Sequence, residues 1–266
     1  MLPIGDVTPV SRAPLVVWTL AVANLVVFVA VQLQLTGCAE LHLVYRFAAI
    51  PRELITLTPL GAEELTSLLG ECAEGAPDKN VPLSLLTSLF LHGGPAHLIG
   101  NLLYLVVFGN NVEDRLGHLR FTVFYAVGGV AATVAYTALR PGSIVPMIGA
   151  SGAIAAVLGA YLLLQPRSRI FTLVAFPLYL AALVLPGLRI VRWLVIVAVV
   201  TVPAWLLLGV WFLLQYQSAR TPQGDAVAYE AHVAGFLAGI VLLLLMDTWR
   251  SRHGRSPFHP PRQPRP

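Results

Sequence analysis

Residues 148–164 read IGASGAIAAVLGAYLLL and residues 229–249 read YEAHVAGFLAGIVLLLLMDTW. Both are apolar runs, and each carries one reactive side chain near its start, Ser151 in Gly149-Ala150-Ser151-Gly152 and His232 in Ala231-His232-Val233-Ala234-Gly235. Small residues recur at helical spacing in both: Ser151, Ala155 and Gly159 in the first, Gly235 and Gly239 in the second. Such stripes let two helices in lipid approach closely. A hydroxyl and an imidazole at matching depth on two such helices are the parts of a nucleophile and its base, because serine attacks only when a base within hydrogen-bond reach takes its proton.

Composition places these runs in a membrane. Of 266 residues, 57% are hydrophobic and 11% charged, with a mean hydropathy of +0.76, whereas soluble domains carry about 25% charged residues. A crossing needs roughly 20 apolar residues with every backbone group satisfied internally, which selects helices. The candidate spans are Leu15–Leu35, Ser84–Gly109 with its helix starting near Pro95, Phe121–Leu139, Ile148–Leu164, Arg189–Gln215 and Tyr229–Trp249. Residues 36–83 hold seven carboxylates and read as an extracytoplasmic loop with interfacial helices. The predicted fold class is therefore an all-α membrane protein, a six-transmembrane-helix bundle with a long outer loop between its first two helices. The membrane domain covers residues 1–250, and residues 251–266, rich in Arg and Pro, read as a disordered cytoplasmic tail.

Residues 170–188 are apolar enough for a seventh crossing, but Pro177, Pro186 and Gly187 interrupt them and arginines stand at both ends. Both ends thus prefer the cytoplasm, and residues 166–190 read as a cytoplasmic or re-entrant hairpin. Parity agrees, since a full crossing would put Ser151 and His232 on opposite sides. Six spans with cytoplasmic termini place twelve of the seventeen basic residues inside. That orientation turns Ser151 and His232 toward the outer face, and the net charge of +4 follows from topology without a nucleic-acid partner.

Cys38 and Cys72 both fall in the outer loop, where an oxidising compartment permits a disulfide; two free thiols fit the sequence as well. Leu35-Thr36-Gly37-Cys38 looks like a lipoprotein cleavage site, but the apolar run before it is long for a signal-peptide core.

Acyl transfer also needs donors for a developing oxyanion. His97 and Asn101 are four residues apart and share a helix face, and polar side chains at bilayer depth point to function; the plainer reading is that they join helices. No carboxylate is well placed to orient His232, since Glu230 is two residues away and Asp247 lies at the far end of the helix, so a Ser-His dyad is expected rather than a triad. His92, with Gly149 and Gly152, is assigned to substrate binding. Three histidines can hold zinc, but the His-Glu-x-x-His pattern of a metalloprotease is absent, and no metal is assigned.

The ordered set His97-Leu98-Ile99-Gly100-Asn101, Val112-Glu113-Asp114-Arg115-Leu116-Gly117, Gly149-Ala150-Ser151-Gly152 and Ala231-His232 with Gly235 and Gly239 resembles the rhomboid family of intramembrane serine proteases, from about Leu83 to Met246. The resemblance implies a six-helix core, Ser151 as nucleophile, His232 as base and an oxyanion site of Asn101, His97 and the Ser151 backbone N–H. It implies substrates that are single-span membrane proteins, cut near the outer end of their helix, and no cofactor. Two features depart from the family. Ala155 stands where some members carry an aromatic residue that stacks on the histidine, and the connection between the fourth and fifth helices is long. The fifth helix, with Trp205, Leu208, Trp211 and Phe212, would border substrate entry. A bacterial plasma membrane fits the compact chain. The competing functions are a catalytically silent protein that binds transmembrane helices, and a proton-coupled transporter, which would be expected to show repeated halves that this sequence lacks.

Overall fold

The computed structural model describes residues 2–177, 195–221 and 228–252. Strand β1 (Leu2–Asp6) precedes helix α1 (Leu15–Gln34), which is α-helical to Val26 and finishes in a wider turn over Val27–Val31 and a tighter one over Gln32–Gln34. Four short helices follow: α2 (Cys38–Phe47), α3 (Pro51–Thr56), α4 (Ala62–Leu69) and α5 (Val81–Thr87). Then come α6 (Pro95–Leu116), α7 (His118–Leu139), α8 (Ser151–Leu164), strands β2 (Arg169–Pro177) and β3 (Val195–Pro203), α9 (Ala204–Arg220) and α10 (Tyr229–Arg252). Helix α6 opens at Pro95, where a missing N–H costs nothing, after Gly94.

Among the described residues, three helical segments are long and apolar enough to cross a membrane: Leu15–Gln34, His118–Leu139 and Tyr229–Met246. The pair Val81–Phe90 and Pro95–Leu116 passes the same test together, with an 82° bend between its halves. Helix α8 differs in kind. Its 14 residues make it about 21 Å long at 1.5 Å per residue, short of the roughly 30 Å hydrocarbon thickness. Every residue from Ala153 to Tyr161 is buried, against α6, α7 and α10. This central helix thus sits in a protein jacket, so its low side-chain volume serves close packing rather than lipid contact.

The closest packing is between α8 and α10. A Cβ on Gly235 would lie 2.3 Å from the Gly152 carbonyl oxygen, one on Gly239 2.0 Å from that of Ala156, and one on Gly159 2.1 Å from that of Phe236. Only hydrogens fit between these backbones. At the other end of the bundle, Glu113 of α6 caps α1: its carboxylate oxygens accept from the backbone N–H groups of Val16 (2.9 Å) and Val17 (2.8 Å), two donors that a helix start leaves unsatisfied. The same carboxylate meets His118 Nδ1 at 2.6 Å. Gly117, at φ +79°, allows α7 to start one residue after α6 ends.

The outer loop is a folded unit. Cys38 and Cys72 form a disulfide, and Tyr45, Ile50, Leu60 and Leu69 make a small core beneath it. Buried Glu53 accepts from the Leu60 N–H at 3.0 Å and pairs with Lys79, whose ammonium also lies 4.9 Å from the centre of the Tyr45 ring. Burial pulls the Lys79 amine below the usual lysine value, partly offset by the Glu53 carboxylate.

The expectation of an all-α protein is corrected by a three-stranded antiparallel sheet in the order β1-β2-β3. The predicted helix from Arg189 is likewise corrected: residues 195–203 form β3, paired over its length with β2 from Arg169↔Pro203 to Pro177↔Val195, and the helix begins only at Ala204. The reason is chemical. The run Val195-Ile196-Val197-Ala198-Val199-Val200-Thr201-Val202 is dominated by β-branched residues that suit a pleated surface, and a short apolar run does not by its periodicity separate strand from buried helix. Strand β2 falls within the stretch 166–190 expected as a hairpin and β3 beyond it; residues 178–194, like the tail from residue 253, lie outside the described residues.

Strand β1 is fastened by Asp6, whose Oδ2 accepts from Tyr161 Oη at 2.6 Å and from Asn111 Nδ2 at 2.8 Å. Burial raises the Asp6 carboxyl above the ordinary aspartate value, the hydrogen bonds from Tyr161 and Asn111 opposing it. A raised folded-state value means that its contribution to stability is full below the unfolded value, near 3.9, and is lost as pH rises through the folded one. Hydrogen exchange of residues 2–6, corrected for intrinsic rates, should therefore show better protection at pH 4 than at pH 7, and Asp6→Asn should abolish that dependence. The helix contact makes a second prediction. Gly239→Val should lower stability in detergent by about 1–3 kcal/mol or more, the range for overpacking, read as a drop in melting temperature, while Gly209→Ala, with nothing within 4 Å of its added Cβ, should leave it unchanged.

Candidate active site

Ser151 is the first residue of α8, and the segment leading to it is pinned on two sides. Met147 exchanges backbone hydrogen bonds with Ala49 of the outer loop, its N–H donating at 2.7 Å and its carbonyl accepting at 3.2 Å, and the Gly149 N–H donates to the Ser88 carbonyl at 2.9 Å. Ala150 packs in the main core. The hydroxyl therefore leaves a fixed turn at a helix start, where the first N–H groups have no acceptor within the helix.

His232 lies in the first turn of α10. The glycine-mediated contact of α8 with α10 brings its Nε2 to 2.8 Å from Ser151 Oγ. On its other side, Nδ1 is 2.7 Å from Gln215 Oε1 of α9. An amide oxygen only accepts, so this pairing suits the tautomer with the proton on Nδ1, in which Nε2 offers its lone pair to the serine hydroxyl. The Trp211 ring, one turn earlier on α9, faces the imidazole at 6.2 Å and 32°, and Tyr229 meets it edge-on at 6.2 Å.

His97 and Asn101 stand one helical turn apart on α6 and line the same cavity as Ser151 and His232. His97 Nδ1 accepts from the Gly93 N–H at 3.3 Å, which leaves Nε2 as the N–H donor. Asn101 Nδ2 is buried and has no hydrogen-bond partner. Both face Gly149: a Cβ there would stand 2.8 Å from His97 Nε2 and 3.6 Å from Asn101 Nδ2. Gly149 is at φ +116°, so the position requires glycine for its backbone and for the space. Gly152 also lines the cavity, whose volume is about 710 Å³. An unused amide donor beside a second, ring donor on one cavity wall suits an anionic oxygen.

His92, expected in substrate binding, lies elsewhere. It is 2% exposed, is absent from the cavity wall, and packs edge-on to His97 (5.3 Å) and Phe28 (6.5 Å). Gln32 holds its backbone, Nε2 donating to the His92 carbonyl and Oε1 accepting from its N–H, both at 2.9 Å. Glu230 does point away from the site, paired with Arg140 at 2.7 Å. Gln215 was not singled out from the sequence. Its only signal is that it is a polar residue closing the apolar stretch Trp211-Phe212-Leu213-Leu214-Gln215, of the kind that marks function at membrane depth.

Residues 79–248 match the Rhomboid domain. Over 155 residues the chain is 28% identical to mouse Rhomboid-related protein 2, a match that covers 58% of this chain and 45% of that protein. It is 40% identical to rhomboid protease GluP of Bacillus subtilis over 85 residues, 32% of this chain and 16% of that one. To the putative rhomboid protease YdcA of the same organism it is 34% identical over 102 residues, 35% of this chain and 51% of that one. The chain thus spans about half or less of the length of these relatives.

The fit around Gly149 is testable by chemistry at Ser151. Gly149→Ala, strained by its φ and crowded against the His97 ring, is expected to slow labelling of Ser151 by a fluorophosphonate at least tenfold and to lower the melting temperature while a cooperative unfolding transition is retained.

Proposed function

Since the chain belongs to the rhomboid family and is a multi-pass integral membrane protein, we propose that it is a serine endopeptidase that cuts single-span membrane proteins within the bilayer, near the outer end of their transmembrane helix. The observation that carries this reading is the 2.8 Å contact of Ser151 Oγ with His232 Nε2 inside a cavity that also holds Asn101 and His97. Relatives that bear the name of rhomboid protease support it.

In this reading Ser151 Oγ attacks the scissile carbonyl carbon as His232 Nε2 takes the hydroxyl proton. The carbonyl electron pair moves to oxygen, and the resulting oxyanion is met by Asn101 Nδ2, the His97 Nε2–H and the Ser151 backbone N–H. Collapse expels the amine, which receives the proton from His232 Nε2. A water molecule, deprotonated by the same nitrogen, then hydrolyses the acyl-serine and restores the hydroxyl. Gly149 and Gly152 give the substrate backbone room to approach, and no cofactor enters.

The same reading takes α1, α6, α7, α8, α9 and α10 as six crossings with the termini in the cytoplasm, the basic residues concentrated inside, and the site toward the exterior of a bacterial plasma membrane. Because α8 is about 9 Å shorter than the hydrocarbon thickness, its first residue then lies below the outer surface. Water reaches Ser151 through the cavity while lipid faces the outer helices.

Purified protein should cleave a single-span substrate in detergent and be labelled by a fluorophosphonate probe, and Ser151→Ala and His232→Ala should do neither. Asn101→Ala, which removes one oxyanion donor, should lower kcat on the order of 10²- to 10³-fold. Undiminished cleavage by Ser151→Ala would refute the nucleophile. A wild type that binds transmembrane helices but is neither labelled nor active would favour the silent helix-binding reading.

A further inference from the structure

The base of the dyad is supported from a helix that contributes nothing to the nucleophile or to the oxyanion donors. Gln215 and Trp211 are four residues apart on α9 and therefore share one of its faces, and both meet His232, the amide through Nδ1 at 2.7 Å and the indole across its ring at 6.2 Å. Trp211 also stacks on Phe236, 6.0 Å away on the same helix as His232. We propose that Gln215 is the positioning residue of the catalytic imidazole, fixing its Nδ1–H tautomer and ring orientation while Trp211 backs the ring. The inference rests on the serine-protease reading above and deepens it.

A neutral imidazole has two tautomers, and only the one with the proton on Nδ1 offers Nε2 as a base. Without an acceptor beside Nδ1, neither tautomer nor ring angle is imposed. Among the described residues, the carboxylates near His232 in the sequence do not supply one, since Glu230 is held by Arg140 and Asp247 lies fifteen residues further along α10. An amide does what the task needs without placing a further charge in a low-dielectric site, where an unpaired carboxylate is costly. Trp211 gives the imidazole an aromatic neighbour, which Ala155, fully buried in the core, has no ring to provide. Because these two side chains come from α9, displacement of that helix withdraws the support of the base without moving Ser151 or His232 along their own helices.

Gln215→Leu keeps the side-chain bulk and removes the acceptor, and Gln215→Glu keeps an acceptor at the same reach. Against a single-span substrate in detergent, Gln215→Leu should lose 10- to 1000-fold in kcat with KM within about threefold of wild type. Gln215→Glu should recover at least a tenth of wild-type kcat, and both variants should melt within a few degrees of wild type. The second readout does not need turnover: in protein labelled with ¹⁵N-histidine, the His232 resonances, assigned by their loss in His232→Ala, should report a protonated Nδ1 in wild type and a mixed or inverted tautomer in Gln215→Leu. Wild-type kcat and an unchanged tautomer in Gln215→Leu would overturn the assignment, as would a wild type whose His232 carries its proton on Nε2. If wild type neither cleaves nor labels, the protease reading fails, and the tautomer comparison still decides whether Gln215 sets the imidazole.

Discussion

The near-contact of the α8 and α10 backbones is the constraint on which the other features depend. With Gly159, Gly235 and Gly239 at the crossing, carbonyl oxygens of one helix lie where a side chain of the other would begin. Ser151 and His232 are 81 residues apart in sequence, yet they sit at the starts of these helices, so the helix separation sets the length of the bond between them. A wider crossing would leave both groups in place and out of reach. In lipid there is little hydrophobic gain from bringing two helices together, and association relies on packing and on polar contacts. Removing side chains from the crossing is what makes that packing close.

Around this axis the remaining parts converge from separate elements. Helix α6 brings His97 and Asn101, the strapped turn before α8 brings Gly149, and α9 brings Trp211 and Gln215. The outer loop has its own small core, a disulfide and a buried Glu53–Lys79 pair, and it holds the turn before Ser151 through the Ala49 and Met147 backbones. The opposite end is organised by Glu113, which ends one helix and begins another. The acidic member of Val112-Glu113-Asp114-Arg115-Leu116-Gly117 thus acts in assembly rather than in chemistry.

What could be read in the sequence followed the kind of physics involved. Small residues at four-residue spacing, a lone serine and a lone histidine at the starts of apolar runs, and a His97–Asn101 pair on one helix face are local patterns; the small residues lie at the α8–α10 crossing, and Ser151, His232, His97 and Asn101 line one cavity. The sheet was not readable in the same way. Residues 195–203 are as apolar as a membrane helix, and the partner strand β1 lies at the far end of the chain, so no window of sequence contains the pairing. Gln215 escaped for a related reason: a search for a group to orient an imidazole looks for a carboxylate, and an amide that fills the role carries no charge to announce it. His92 follows no such local pattern, and it packs edge-on to His97 and Phe28 outside the residues that line the cavity.

Strand β1 has a consequence for biogenesis. Leu2 pairs with Leu173, and Asp6 with Ile170, so β1 finds its place only after α1 to α8 have been synthesised. Contacts of such separation form late and slowly. During that interval residues 2–6 wait without their partner strand, and a segment inserted beside them that paired as a strand would compete with β1 for the edge of β2.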